Sequence, residues 1–87
     1  MANVNVSTER IYASSTADSK GRVLGLIDSV AKATQNDTVT VVNATKIQVI
    51  SAIDDTTGAF ETHTVSGNVI TLTSATTGAK TLTILYN

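Results

Sequence analysis

Val69-Ile70-Thr71-Leu72-Thr73 and Thr81-Leu82-Thr83-Ile84-Leu85-Tyr86 decide the fold. Side chains two apart on a strand share a face. Ile70, Leu72, Leu82 and Ile84 therefore fall on one side, and Thr71, Thr73, Thr81 and Thr83 on the other. This is the pattern of half-buried antiparallel strands, apolar inside and threonine outside. Ser66-Gly67-Asn68, just upstream, is the tightest hairpin signal in the chain. Further back, Thr38-Val39-Thr40-Val41-Val42, Ile47-Gln48-Val49-Ile50-Ser51-Ala52-Ile53 and Phe60-Glu61-Thr62-His63-Thr64-Val65 read as three more strands. Thr56-Thr57-Gly58-Ala59 recurs as Thr76-Thr77-Gly78-Ala79, a reused turn in which Gly58 and Gly78 are expected at positive φ.

Composition agrees. Of 87 residues, 33 are β-branched (16 Thr, 10 Val, 7 Ile), against 1 Phe, 2 Tyr and no Trp, Pro or Cys. Branching at Cβ suits a pleated sheet better than a helix. So few aromatics imply a thin core and a need for help from a neighbouring subunit.

The first 19 residues are small and polar, with Val4, Val6, Ile11 and Tyr12 as the apolar anchors. They read as an extended N-terminal arm, followed by one β-domain over 20–87. The stretch from Arg22 to Ala33 stays ambiguous. Val23, Leu26, Ile27, Val30 and Ala31 recur at helical spacing, whereas Gly25 opposes a helix. As a strand, Leu24, Leu26 and Val30 would share a face that Asp28 interrupts. The expected fold is all-β, a small antiparallel β-sandwich or barrel-like meander. The alternative is α+β with one helix at about 19–33.

The residues offer little chemistry. Zero Cys excludes disulfides, thiolate metal sites and cysteine nucleophiles. A net charge of −1 gives no footprint for nucleic acid or an anionic membrane. No stretch approaches the roughly 20 apolar residues of a membrane helix, and Met1-Ala2-Asn3-Val4-Asn5-Val6 lacks the marks of a signal peptide. A soluble chain, made in a cytoplasm and kept there until assembly or release, is expected. Glu61 and His63, two apart on a strand, resemble a ligand pair, but two ligands do not make a metal site; they read as exposed polar residues. Asp54-Asp55-Thr56-Thr57-Gly58 lacks the spacing of a calcium loop and reads as a turn whose Asp side chains bind backbone amides. No catalytic residue, metal or cofactor is expected, and no enzyme activity.

Asp37-Thr38-Val39-Thr40-Val41, the run from Ile47 to Ile53, and Ser66-Gly67-Asn68-Val69-Ile70-Thr71-Leu72-Thr73, followed by a Thr/Gly-rich turn and a last apolar strand, carry a resemblance. Over roughly residues 36–87 the chain resembles small β-rich capsid decoration, or cement, proteins of tailed bacteriophages. The resemblance implies a structural virion protein on the capsid surface that binds the major capsid protein and itself, as a homo-oligomer that is often a trimer. It also implies an extended conformation for residues 20–33. The residues expected at contacts are Val4, Val6, Ile11 and Tyr12 of the arm, with Leu82, Ile84 and Tyr86 of a last strand that is either central or an edge open to pairing. Two alternatives remain: a tail, fibre or head–tail connector component, and a free β binding module.

Overall fold

The computed structural model describes residues 2–7, 12–13 and 17–87. Eight strands follow in order: β1 (Asn3–Ser7), β2 (Tyr12–Ala13), β3 (Val23–Lys32), β4 (Asp37–Val42), β5 (Ile47–Asp54), β6 (His63–Ser66), β7 (Val69–Leu72) and β8 (Gly78–Tyr86). They form two four-stranded sheets, β1-β4-β7-β6 (sheet A) and β2-β3-β8-β5 (sheet B). The sheets pack face to face as a β-sandwich. Among the described residues there is no helix.

The alternation of 69–73 and 81–86 does what it predicts. Ile70, Leu72, Leu82 and Ile84 are fully buried and meet Val6, Ile27, Val30, Val39, Val41, Ala44 and Ala52 in one core. The connectivity is not that of a meander. β1, β4, β6 and β7 lie in sheet A while β2, β3, β5 and β8 lie in sheet B, so the chain changes sheet after β1, β3, β4, β5 and β7. β8 is central, hydrogen-bonded to β3 on one side and β5 on the other. Gly67 at φ +59° opens the two-residue β6–β7 turn, the sign pattern of a type II′ hairpin with Gly first. Gly58 and Gly78 take positive φ as expected.

The ambiguous segment is a strand. Its helix-like spacing has a specific origin in the bulge between Ile27 and Val30, where Ser29 sits at φ +53°. A bulge inserts an extra residue and resets the two-residue alternation. Ile27 and Val30, three apart, thus both face the core. The same reset corrects the expected common face of Leu24, Leu26 and Val30, because Leu24 and Leu26 point outward.

The arm expected over 1–19 is, in its first part, a strand of the sandwich. β1 pairs in parallel with β4, Val4 opposite Val39 and Val6 opposite Val41. Val6 is completely buried. The polarity of this segment is that of an edge strand: Val4 and Val6 face in, and Asn3 and Asn5 face out. Asp37 fastens it. One carboxylate oxygen, Oδ1, accepts from the Ala2 N–H at 2.7 Å and from the Thr34 hydroxyl, and Oδ2 accepts from the Ala33 and Thr34 N–H groups at 2.7 and 3.0 Å. These bonds, the Thr34 hydroxyl's foremost, hold the Asp37 carboxyl far below the usual carboxylate range.

Candidate functional site

At one end of the sandwich the inward alternation of sheet B changes from aliphatic to charged. Lys80 continues the inward row of Leu82 and Ile84, Asp54 that of Ala52, and Lys32 that of Val30. Asp54 and Lys80 are direct partners on adjacent strands. Glu61 enters from the β5–β6 connection, where its N–H donates to the Ala52 carbonyl at 2.8 Å. All four residues are buried, Lys80 at 0% exposure.

The side chains form one continuous network. Lys80 Nζ lies 3.1 Å from Asp54 Oδ1 and 3.1 Å from Glu61 Oε1. Lys32 Nζ lies 3.2 Å from Glu61 Oε2, and also donates to the Ser74 carbonyl and, at 2.9 Å, to Ser74 Oγ. Ser74 returns two bonds to Glu61, from its N–H at 2.9 Å and its hydroxyl at 2.7 Å. Asp54 Oδ2 accepts from the Thr57 hydroxyl at 2.7 Å and the Thr57 N–H at 3.2 Å. Two cations meet two anions, and among the described residues no buried side-chain polar atom lacks a partner. Such complete satisfaction is what makes buried charge tolerable.

Electrostatics follow from the contacts. Burial pulls the Lys80 ammonium toward a lower pKa, but Glu61 and Asp54 outweigh it and the pKa is raised. Burial pushes Glu61 up, and the bonds from Ser74, Lys80 and Lys32 more than reverse it. Asp54 is lowered by the Thr57 hydroxyl first and by Lys80 second.

The outer face of sheet B is the second feature. Leu24 opposes Leu85, and Leu26 opposes Thr83, across the β3–β8 pairing. On β5 a bulge at Ile50, between Val49 and Ser51, breaks the register with β8. Leu24 is 45% exposed, Leu26 37% and Ile50 53%. Beyond the β5 edge Phe60 bridges to Ile53 and is 82% exposed. Threonines 81 and 83 occupy the middle of the face, as expected, and aliphatic side chains flank them. A polar rim adjoins Leu24 and Leu85: Arg22 is ion-paired with Asp18 at 2.9 Å and donates to Gln48 at 2.8 Å. Gln48, Arg22, Lys46 and Asn87 line an open depression beside Leu85.

The residues expected at contacts separate into three groups. Val6, Leu82 and Ile84 belong to this chain's own core, which corrects their reading as surface for a neighbour: β8 is central and β1 is docked on β4. Val4 and Tyr86 are partly buried and pack against that core. The Tyr12 backbone pairs with Leu26; its side chain and the whole of Ile11 lie outside the described residues. Glu61 and His63 do not form a ligand pair, and the reading of both as exposed polar residues is corrected for Glu61, which is buried. The Glu61 carboxylate is enclosed by Lys32, Lys80 and Ser74, while His63 places Nδ1 at 3.2 Å from the Glu61 carbonyl oxygen. Among the described residues no group of three or more His, Cys, Asp or Glu side chains is arranged to hold a metal.

Missing from the sequence reading were the buried charges and the outward aliphatic face. The strand alternation carried the first signal, since Lys80 has the parity of Leu82 and Ile84. No protein-family model matches this chain, and neither a curated protein nor a solved structure shows significant similarity to it.

Proposed function

We propose that this chain is a non-enzymatic structural protein of a phage virion, a decoration subunit that binds the major capsid protein and stabilises the head. The observation that carries this reading is the outer face of sheet B. Phe60, the chain's one phenylalanine, stands 82% exposed beside Ile53 at the β5 edge, and Ile50 on β5 and Leu26 and Leu24 on β3 are further exposed apolar side chains of the same sheet. Exposed apolar patches with a polar rim mark protein–protein contacts, and a lone exposed aromatic is the residue type that anchors them. Of the threonines between these side chains, Thr81 already donates its hydroxyl to Asp55 at 2.6 Å, and Thr83 lies between Leu26 and Ser51 in the middle of the face. Binding across the junction of capsid subunits would add buried area there and slow their separation. The sequence resemblance over 36–87 points to the same class of protein.

The test is quantitative mass spectrometry of purified virions from the genome that encodes the chain. Hundreds of copies per particle, removable without loss of the tail, are expected. A handful of copies moves the chain to the tail or connector, and its absence from particles refutes a virion role.

A further inference from the structure

The buried charge network holds more than an ion-pair cluster requires. Lys80 Nζ is 3.1 Å from Asp54 Oδ1 on the neighbouring strand, and 3.1 Å from Glu61 Oε1. The other Asp54 oxygen, Oδ2, receives both the N–H and the hydroxyl of Thr57. Glu61 has a second cation, Lys32, at 3.2 Å. We propose that Lys80 and Asp54 condense to form an intramolecular isopeptide bond, with Glu61 carrying the proton and Thr57 holding the oxyanion.

The chemistry balances without any added reactant. One Lys80 proton passes to Asp54 Oδ1 across the 3.1 Å contact, converting the ion pair to an amine and a carboxylic acid. The neighbours that hold Lys80 protonated and Asp54 ionised keep the neutral pair a minor species, so the condensation is a slow reaction that proceeds over days. The Nζ lone pair then attacks Asp54 Cγ. Negative charge develops on Oδ2, where the two Thr57 donors are already placed, the arrangement that stabilises tetrahedral intermediates in acyl transfer. Glu61 Oε1 accepts a second proton from Nζ and delivers it to Oδ1. The Cγ–Oδ1 bond breaks, water departs, and an Nζ–Cγ amide remains. Nothing is oxidised or reduced.

Lys32 explains why the cluster has four charged members and not three. While Glu61 moves the proton, Lys32 and Ser74 keep its carboxylate oriented. After condensation the site holds one cation and one anion where it held two of each, so neutrality is preserved throughout. Fixing amine and carboxyl in contact on adjacent strands supplies the proximity that makes an intrinsically slow amide formation feasible. The bond also meets a need visible in the sequence. A chain of this size with three aromatic residues and no cysteine has a small core and no disulfide, the circumstance in which covalent staples matter most.

The intact mass of the full-length chain, unfolded in denaturant after days at neutral pH, decides the matter. The expected mass is that of the sequence less one water. Proteolysis should yield a branched peptide joining the Asp54 and Lys80 segments, with trypsin unable to cut after Lys80. In Lys80→Arg, Asp54→Ala and Glu61→Gln the full mass should return. A wild-type chain at its full sequence mass overturns the proposal. So does a water loss that survives Lys80→Arg, or one that maps to Glu61 or to any pair other than Asp54 and Lys80. The wild-type measurement and the branched peptide do not depend on whether a variant folds.

Discussion

Replacing Glu61 by Leu keeps most of the side-chain volume and removes the anion shared by Lys32 and Lys80. In the structure Lys32 then retains only the two Ser74 oxygens, and its Nζ has no exposed path to water, its side chain being 0% accessible. Removing one partner of a buried ion pair leaves an uncompensated charge and costs about 3–5 kcal/mol. A domain of this size has a total stability of roughly 4–13 kcal/mol at 0.05–0.15 kcal/mol per residue. Glu61→Leu should therefore be severely destabilised or unfolded. The second arm is Lys32→Met combined with Glu61→Leu, which removes both charges of the pair. Replacing a buried pair by apolar side chains is often neutral or stabilising, so the double variant should regain about 2–4 kcal/mol over Glu61→Leu alone. Urea denaturation followed by circular dichroism reads both, with an m-value near 1 kcal/mol/M turning the recovery into a midpoint shift of about 2–4 M. Both proteins lack Glu61, so the comparison is independent of any Lys80–Asp54 bond. A Glu61→Leu protein within about 1 kcal/mol of wild type, or a double variant no better than the single one, would refute the enclosed network.

Leu82→Ala, in the centre of the core with 0% exposure, should cost about 2–5 kcal/mol; a thermal melt measures it, and a loss under about 1 kcal/mol contradicts its place between the sheets. The Asp37 and Glu61 carboxyls are both held low when folded. Their stabilisation is complete above the unfolded pKa of about 4 and is lost as pH falls through the folded values. The thermal midpoint should thus be flat from about pH 5 to 7 and drop in stronger acid, with Asp37→Ala giving a shallower acid slope by differential scanning calorimetry. Phe60→Ser and Leu26→Ser touch exposed side chains, so each should alter folding stability by no more than about 0.5 kcal/mol. Together they should abolish incorporation into virions, and wild-type copy number in the double variant would disqualify the outer face of sheet B.

Most of the fold was legible because strands with one wet face advertise their period. β4, β5, β7 and β8 lie where the alternation of Val, Ile and Leu with Thr places them. What a period does not encode is which sheet a strand joins. β5 and β8 pair across 25 intervening residues, and nothing local to Ile47 or Leu82 reports that partnership. The segment 23–32 misled for a more specific reason: a bulge at Asp28 and Ser29 turns a two-residue period into a spacing of three. Lys32, Asp54 and Lys80 stood in plain view at core parity. Charged residues at strand ends ordinarily mean solvent, and only tertiary closure by Glu61 and Ser74 makes their inward direction tenable. Phe60 was read as part of a strand, whereas β6 begins three residues later, and its exposure depends on a loop geometry that no pattern specifies.

The central place of β8 in sheet B sets the order of events as the chain is made. β2, β3 and β5 precede β8 in the sequence, yet β3 and β5 are joined only through it. At ribosomal speeds of about 5–20 residues per second, β3 waits for the roughly 45 residues between Lys32 and Gly78, for seconds, with only the two-residue β2 to pair with. During that interval Leu24, Leu26, Ile27 and Val30 are available to any other strand, including one from a second nascent chain. Such non-local pairing belongs to the slow end of two-state folding, milliseconds to seconds. Sheet B is therefore a seam that stays open until β8 is made, and until then its aliphatic side chains are uncovered surface for aggregation, proteases and chaperones.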